Sequence, residues 1–264
     1  MTLLLLTGLY LILGAFAGLL AGLFGIGGGL IIVPVLIVSF DWQNLAVGIA
    51  PHLAVGTSLA TIIFTSISSI RSHHFRAAVR WDIFRPMVLG ILAGAASGAW
   101  TASLLPGSAL ELIIGIFVIL VAVKMLLNAE PGPGRSVPGS LGLAGVGAGI
   151  GWVSAIFGIG GGTLTVPFLS WCNVRMQHAI GTAAACGLPI AAAGAAANVV
   201  TGWQHPALPE FSVGFIYLPA LLVIAVASVL FAPLGAALAH RIDALLLKRI
   251  FAMLLIVIGI RFLI

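Results

Sequence analysis

The chain has 264 residues, 61% apolar and only 6% charged, with 11 Lys and Arg against 6 Asp and Glu. Soluble domains carry about 25% charged residues, so a water-facing globule is excluded. The basic residues sit in short loops between apolar runs, where they set membrane orientation, and form no nucleic-acid-binding face.

The first apolar run predicts a helix over 3–23. It lacks the basic start of a secretory signal and has a counterpart later in the chain, so this helix is expected to be retained. The run breaks at Phe24-Gly25-Ile26-Gly27-Gly28-Gly29, and a short apolar segment over 29–40 follows, carrying Val33-Pro34. Long helices are predicted near 52–70, 82–104 and 108–127. The stretch Glu130-Pro131-Gly132-Pro133-Gly134-Arg135 then reads as a linker. Beyond it the pattern returns: a helix over 139–157, the turn Phe157-Gly158-Ile159-Gly160-Gly161-Gly162, a short segment over 163–172 with Val166-Pro167, and helices near 177–201, 212–239 and 244–263.

From Phe24 to Phe157 the motif repeats after 133 positions, and Ala54-Val55-Gly56-Thr57 returns as Ala179-Ile180-Gly181-Thr182 after 125. Two ordered matches at nearly constant spacing point to duplication. The chain divides into a first repeat 1–129, a linker 130–138 and a second repeat 139–264. The stretch 71–85 holds Arg71, Arg76, Arg80 and Arg85, which assigns it to the cytoplasm, whereas its counterpart 202–211 has no Lys or Arg. The next pair reverses this: 105–107 is uncharged and 240–249 carries Arg241, Lys248 and Arg249. The expected fold is an all-α polytopic membrane protein of two inverted repeats, each with three long transmembrane helices plus a glycine-broken helix pair, eight to ten membrane segments in total. Arg135 and Arg175 belong on the same side, so each pair is either a re-entrant hairpin or two tilted crossings. Both termini are then expected outside the cytoplasm, in the inner membrane.

Irregular backbone at membrane depth is tolerated only inside protein or along a watery cavity. Glycines before a short helix let a ligand approach the backbone, and the first N–H groups of that helix lack intrahelical partners at its positive end. Such an end binds anions without a basic side chain. The candidate site is therefore Gly25, Gly27, Gly28 and Gly29 facing Gly158, Gly160, Gly161 and Gly162, with Thr163 beside the second turn. Thr57, Thr61 and Thr65 share one helix face, with Ser58 and Ser68 flanking it; the matching positions are Thr182, Cys186 and Ile190. Thr57, Ser58, Thr182 and the intrahelical Asn198 complete the candidate set. Two other roles compete for these residues: glycine permits close helix packing, and hydroxyls satisfy the carbonyl one turn back.

Cys172 and Cys186 lie in apolar surroundings and read as small core residues, and no histidine has metal-ligand spacing. No nucleophile, base and orienting group come together in the pattern, so neither an enzyme nor a cofactor is expected. Coupling to a proton through a histidine or Asp41, coupling to a counter-ion, and homo-oligomerisation all stay open.

The two Phe-Gly-Ile-Gly-Gly-Gly…Val-Pro motifs, Ala54-Val55-Gly56-Thr57-Ser58 and the basic stretch from His73 to Trp81 resemble the sulfite exporter TauE/SafE family over essentially the whole chain. The resemblance implies a secondary transporter, often an exporter, for sulfite, sulfonates, thiosulfate or related small anions in the lipid bilayer. The position matching Ser58 is Ala183, so the two half-sites are chemically unequal. An anion channel of similar architecture and a non-transporting scaffold or assembly factor are the rival readings. Trans-stimulated, saturable flux separates a carrier from a pore, and absence of all flux marks a scaffold.

Overall fold

The computed structural model describes residues 3–24, 28–127, 136–238 and 244–263. Predicted Gly25 and Gly27, most of the linker and the start of the basic stretch at 240–249 lie outside them. Among the described residues the chain forms ten helices: α1 (Leu3–Phe24), α2 (Gly29–Trp42), α3 (Ala50–Phe75), α4 (Trp81–Ser103), α5 (Gly107–Leu126), α6 (Ser140–Ile156), α7 (Gly162–Trp171), α8 (Met176–Thr201), α9 (Leu218–Leu238) and α10 (Ala244–Arg261). Six of them contain stretches long and apolar enough to cross a bilayer: Leu5–Gly22, Ala50–Phe75, Trp81–Ser103, Gly107–Leu126, Met176–Thr201 and Leu218–Gly235. The chain is an all-α, multi-pass membrane protein.

Local chemistry sets the boundaries. Pro51 stands in the first turn of α3 and Pro106 immediately precedes α5, positions where the missing N–H costs no helical hydrogen bond. Gly28 introduces α2 with φ 76°, a left-handed conformation that side chains rarely adopt. The expected segments 29–40 and 163–172 are helices of 14 and 10 residues. At 1.5 Å per residue they reach only ~21 and ~15 Å, short of a ~30 Å hydrocarbon core.

Two sequence expectations are corrected. The basic stretch 71–85 is not one loop: α3 runs on to Phe75 and α4 starts at Trp81, leaving 76–80 between them. The predicted helix over 212–239 begins only at Leu218, because β1 (Ser212–Val213) and β2 (Ile216–Tyr217) form a small antiparallel hairpin first. Phe211 and Gly214 take φ of 63° and 53°, outside the helical region. The Phe215 N–H donates to the Asn198 carbonyl at 3.1 Å, and the Tyr217 N–H donates to Thr57 Oγ1 at 2.9 Å. Backbone groups that a helix would have paired internally are satisfied by α8 and α3 instead.

α4 packs along α6 and α1 along α9, while α3 lies against α8 and α5 against α10. The first two seams run on glycine: Gly90, Gly94 and Gly98 of α4 face the Ala144, Ala148 and Trp152 carbonyls of α6, and Gly14 and Gly18 of α1 face Ile224 and Ser228 of α9. Lipid tails are as apolar as the side chains, so close backbone approach and dispersion hold such helices together. Of the α3 span 72% is buried, and of the α8 span 56%, against 28% of α5. α3 and α8 are therefore central and α5 faces outward.

Candidate functional site

The start of α2, at Gly28 and Gly29, meets the second glycine turn in the buried interior of this bundle. A Cβ on Gly29 would collide with the Gly158 carbonyl oxygen and stand 2.9 Å from Ile159 Cα, so the start of α2 rests on the second turn. Gly158 has φ 62°, and a Cβ there would lie 2.7 Å from Val33 Cγ2 and 3.0 Å from Val55 Cα. Close backbone approach, together with that φ, is what requires glycine at Gly29 and Gly158. Ser58 Oγ donates to the Gly158 carbonyl at 2.7 Å, and Phe117 stacks on Phe157 with centroids 4.0 Å apart. Gly28 abuts Ala17 at 3.0 Å.

The second turn has another face. Gly160 and Gly161 border a cavity of about 10 Å³ whose opposite wall carries Thr65, Ser66 and Ser69 of α3, with Gly187 of α8 at its side. That is room for about one water-sized sphere. The Gly160 and Gly161 N–H groups donate to nothing among the described residues, and the first N–H groups of α7, at Gly162 and Thr163, lack intrahelical acceptors. Ser66 is 4% exposed and has no hydrogen-bond partner among the described residues, whereas Thr65 Oγ1 is spent on the Ile62 carbonyl at 3.2 Å. A Cβ on Gly187 would lie 3.0 Å from Ser66 Oγ and 3.5 Å from Gly161 N, so these three positions surround one small space. Thr163 Oγ1 and Thr165 Oγ1 of α7 are also buried without partners.

The remaining candidate side chains tie the scaffold together. Thr57 Oγ1 accepts the Tyr217 N–H, and Thr182 Oγ1 accepts the Arg80 N–H at 3.0 Å. Asn198 Nδ2 donates to the Gly194 carbonyl at 2.8 Å inside α8. The Arg80 side chain is fixed by its ion pair with Asp82, whose hydrogen bonds raise the guanidinium above its ordinary range. The structure thus gathers Gly29, Ser58 and Gly158 at one contact and Gly160 and Gly161 at the adjoining cavity, while Thr57, Thr182 and Asn198 serve joints around it. Sequence reasoning passed over Ser66, Ser69 and Gly187. Counting every fourth residue from Thr57 reached Thr65 but not the neighbouring row; the signal was the run Thr65-Ser66…Ser69 set against the small residues of α8.

No Lys, Arg, Asp or Glu borders the cavity, and no group of three or more His, Cys, Asp or Glu among the described residues is arranged to hold a metal. The cavity is bordered by hydrogen-bond donors and by no charged side chain.

Relatives agree with a membrane role. A probable membrane transporter protein of Haemophilus influenzae is 36% identical over 260 residues, covering 96% of this chain and 96% of that protein. A probable membrane transporter protein of Methanocaldococcus jannaschii is 27% identical over 262 residues, covering 97% and 95%. Another, YunE of Bacillus subtilis, is 31% identical over 176 residues, covering 59% and 64%. No solved structure matches the chain. The sequence profile of the sulfite exporter TauE/SafE family matches residues 10–262, and with that match over nearly its full length the chain belongs to the TauE/SafE family of membrane transporters.

Proposed function

We propose that the protein is a secondary transporter that exports a small sulfur-containing oxyanion, of the sulfite, organosulfonate or thiosulfate class, by alternating access. The observation that carries this reading is the seating of the start of α2 on the second glycine turn in the buried centre, beside a cavity that no charged side chain borders and that N–H groups and a hydroxyl unpaired among the described residues face. A fully ionised oxyanion needs donors, and helix-start amides supply them in a medium where their partial charges act strongly. The absence of an arginine at the site keeps binding weak enough for release. The cavity is too small for a three-oxygen anion, so on this reading loading requires α3 and α8 to part.

What supports alternating access is a relation between the two halves, read as repeats 1–129 and 139–264 joined by linker 130–138. Exchanging α1–α5 with α6–α10 leaves the main helix pairings unchanged: α1 on α9 becomes α6 on α4, and α3 on α8 maps to itself. The hydrogen bonds follow suit, since Thr57 accepts an N–H just before α9 and its repeat mate Thr182 accepts one just before α4. Gly56 abuts the Phe215 carbonyl as its mate Gly181 abuts that of Ala78. Such reciprocity supports an inverted repeat, in which rocking one half against the other exposes a central site to each side in turn. The arginines around residues 71–85 favour a cytoplasmic position for that end, which puts both termini on the non-cytoplasmic side of the inner membrane.

The test is flux in proteoliposomes of purified protein with sulfite, thiosulfate, sulfoacetate, taurine and sulfate, with and without a pH gradient. Saturable flux of a sulfur oxyanion with trans-stimulation is expected, and the pH arm reads proton coupling. Single-channel currents would replace the carrier by a pore, and no flux of any panel member would refute the reading.

A further inference from the structure

The two half-sites differ more deeply than one serine. At the 125-residue spacing, Thr65, Ser66 and Ser69 of α3 match Ile190, Ala191 and Gly194 of α8, while Ala184 and Gly187 of α8 match Leu59 and Ile62 of α3. One niche therefore has hydroxyls on one wall and the smallest residues on the other. In the mirrored position both walls are apolar and Leu59 and Ile62 fill the space: each is 0% exposed, Ile62 Cδ1 lies 2.8 Å from where a Gly29 Cβ would stand, and Leu59 Cδ1 lies 2.9 Å from that of Gly194.

We propose that the anion seat is one-sided: the Gly160 and Gly161 amides and the Ser66 hydroxyl hold the oxyanion, and the Gly28–Gly29 end of α2 is a packed pivot. The substrate class rests on the transport reading above; the one-sidedness does not. Ser66 carries the inference. The residue is 4% exposed, and its hydroxyl, which makes no hydrogen bond among the described residues, opens onto the cavity, where the unused Gly161 N–H stands across the same space. The seat is also connected. A second cavity of about 10 Å³ shares Ser69 with the first and is bordered by Ser68, Ser72 and His73 of α3 and by Pro233 of α9. Ser66, Ser69 and Ser72/His73 recur every three or four residues and so form one helix row. That row leads from the seat to the arginine-rich end, where Arg76 raises the local concentration of anions. The polar face of α3 is the access route from that side.

Gly187→Ala tests the seat directly, because a methyl there meets Ser66 Oγ and the Gly161 amide and no other neighbour within 4 Å. Flux of sulfite and sulfoacetate in proteoliposomes is read beside the thermal shift that each anion gives the detergent-purified protein. Gly187→Ala is expected to lower flux at least roughly tenfold and to abolish the shift, and Ser66→Ala to raise the KM roughly tenfold, the usual effect of one lost hydrogen bond to a charged group. Gly149→Ala, whose Cβ meets nothing within 4 Å, and the mirror change Ala191→Ser should leave both readouts at parental values. Parental behaviour of Gly187→Ala or of Ser66→Ala, or a parent whose melting temperature neither anion shifts, overturns the seat. A parent that shows a Gly187-sensitive shift but moves no anion upholds the seat and sinks the transport reading.

Discussion

Replacing Gly29 by alanine probes the contact on which the central geometry depends. The new Cβ would stand 2.8 Å from Ile62 Cδ1 and 2.9 Å from Ile159 Cα, and against the Gly158 carbonyl oxygen. Carbon atoms settle at about 3.5–4.0 Å, so the two turns must part by more than half an ångström. The Ile62 methyl can swing aside, but Ile159 Cα and the Gly158 carbonyl are backbone. Gly158 is itself fixed by the Ser58 hydrogen bond and by Val33 and Val55. Overpacking a tight core costs about 1–3 kcal/mol, more where backbone must move, and the gain from alanine in a helix offsets at most ~1 kcal/mol of it. Thermal unfolding of detergent-purified protein should show a loss of several degrees, at about 2–4 °C per kcal/mol for a chain of this size. Gly8→Ala makes the same chemical change on α1 where nothing lies within 4 Å, and should melt like the parent. A Gly29→Ala protein as stable as the parent would mean that the turns do not touch, and the reasoning built on their contact would fail.

The other predictions use the joints between the halves. Thr57→Val strands the Tyr217 N–H and Thr182→Val the Arg80 N–H, and each should cost about 1–3 kcal/mol, read as a lower melting temperature with the helix content unchanged in circular dichroism. Ser58→Ala leaves the Gly158 carbonyl without its donor and should cost a similar ~1–3 kcal/mol, while Ser58→Thr, which keeps a hydroxyl, should recover part of it. Arg76→Cys, with Cys172 and Cys186 replaced by alanine, should react with an impermeant thiol reagent only from the cytoplasmic side; Gln204→Cys in the opposite loop should react only from the other side. Labelling of both from one side would reverse the inverted arrangement.

Much of the architecture was legible in the residues. Bilayer hydrocarbon admits only backbone that pairs within its own segment, so apolar runs and their breakers located the helices, closely for α8, predicted at 177–201 and found at Met176–Thr201, less so for α3, predicted at 52–70 and found at Ala50–Phe75. The hairpin at 212–217 escaped because its N–H groups are satisfied by Asn198 and Thr57, partners remote in sequence. Periodicity sees only what a segment can do for itself. The duplicated motif named the turns as special, since repetition is visible without coordinates.

What the turns do to each other is a matter of tertiary structure. The sequence by itself determined that four glycines would break each half and that hydroxyls would line one face of α3. It could not say that the Ser58 hydroxyl is consumed by the Gly158 carbonyl and Thr57 by Tyr217 while Ser66 is left without a partner among the described residues. A hydroxyl's chemistry is common to every serine, but whether it is spent depends on which carbonyl or amide folding brings within 3 Å. That distance is set by the packing of α3 against α8 and the second turn, and by nothing local to residue 66.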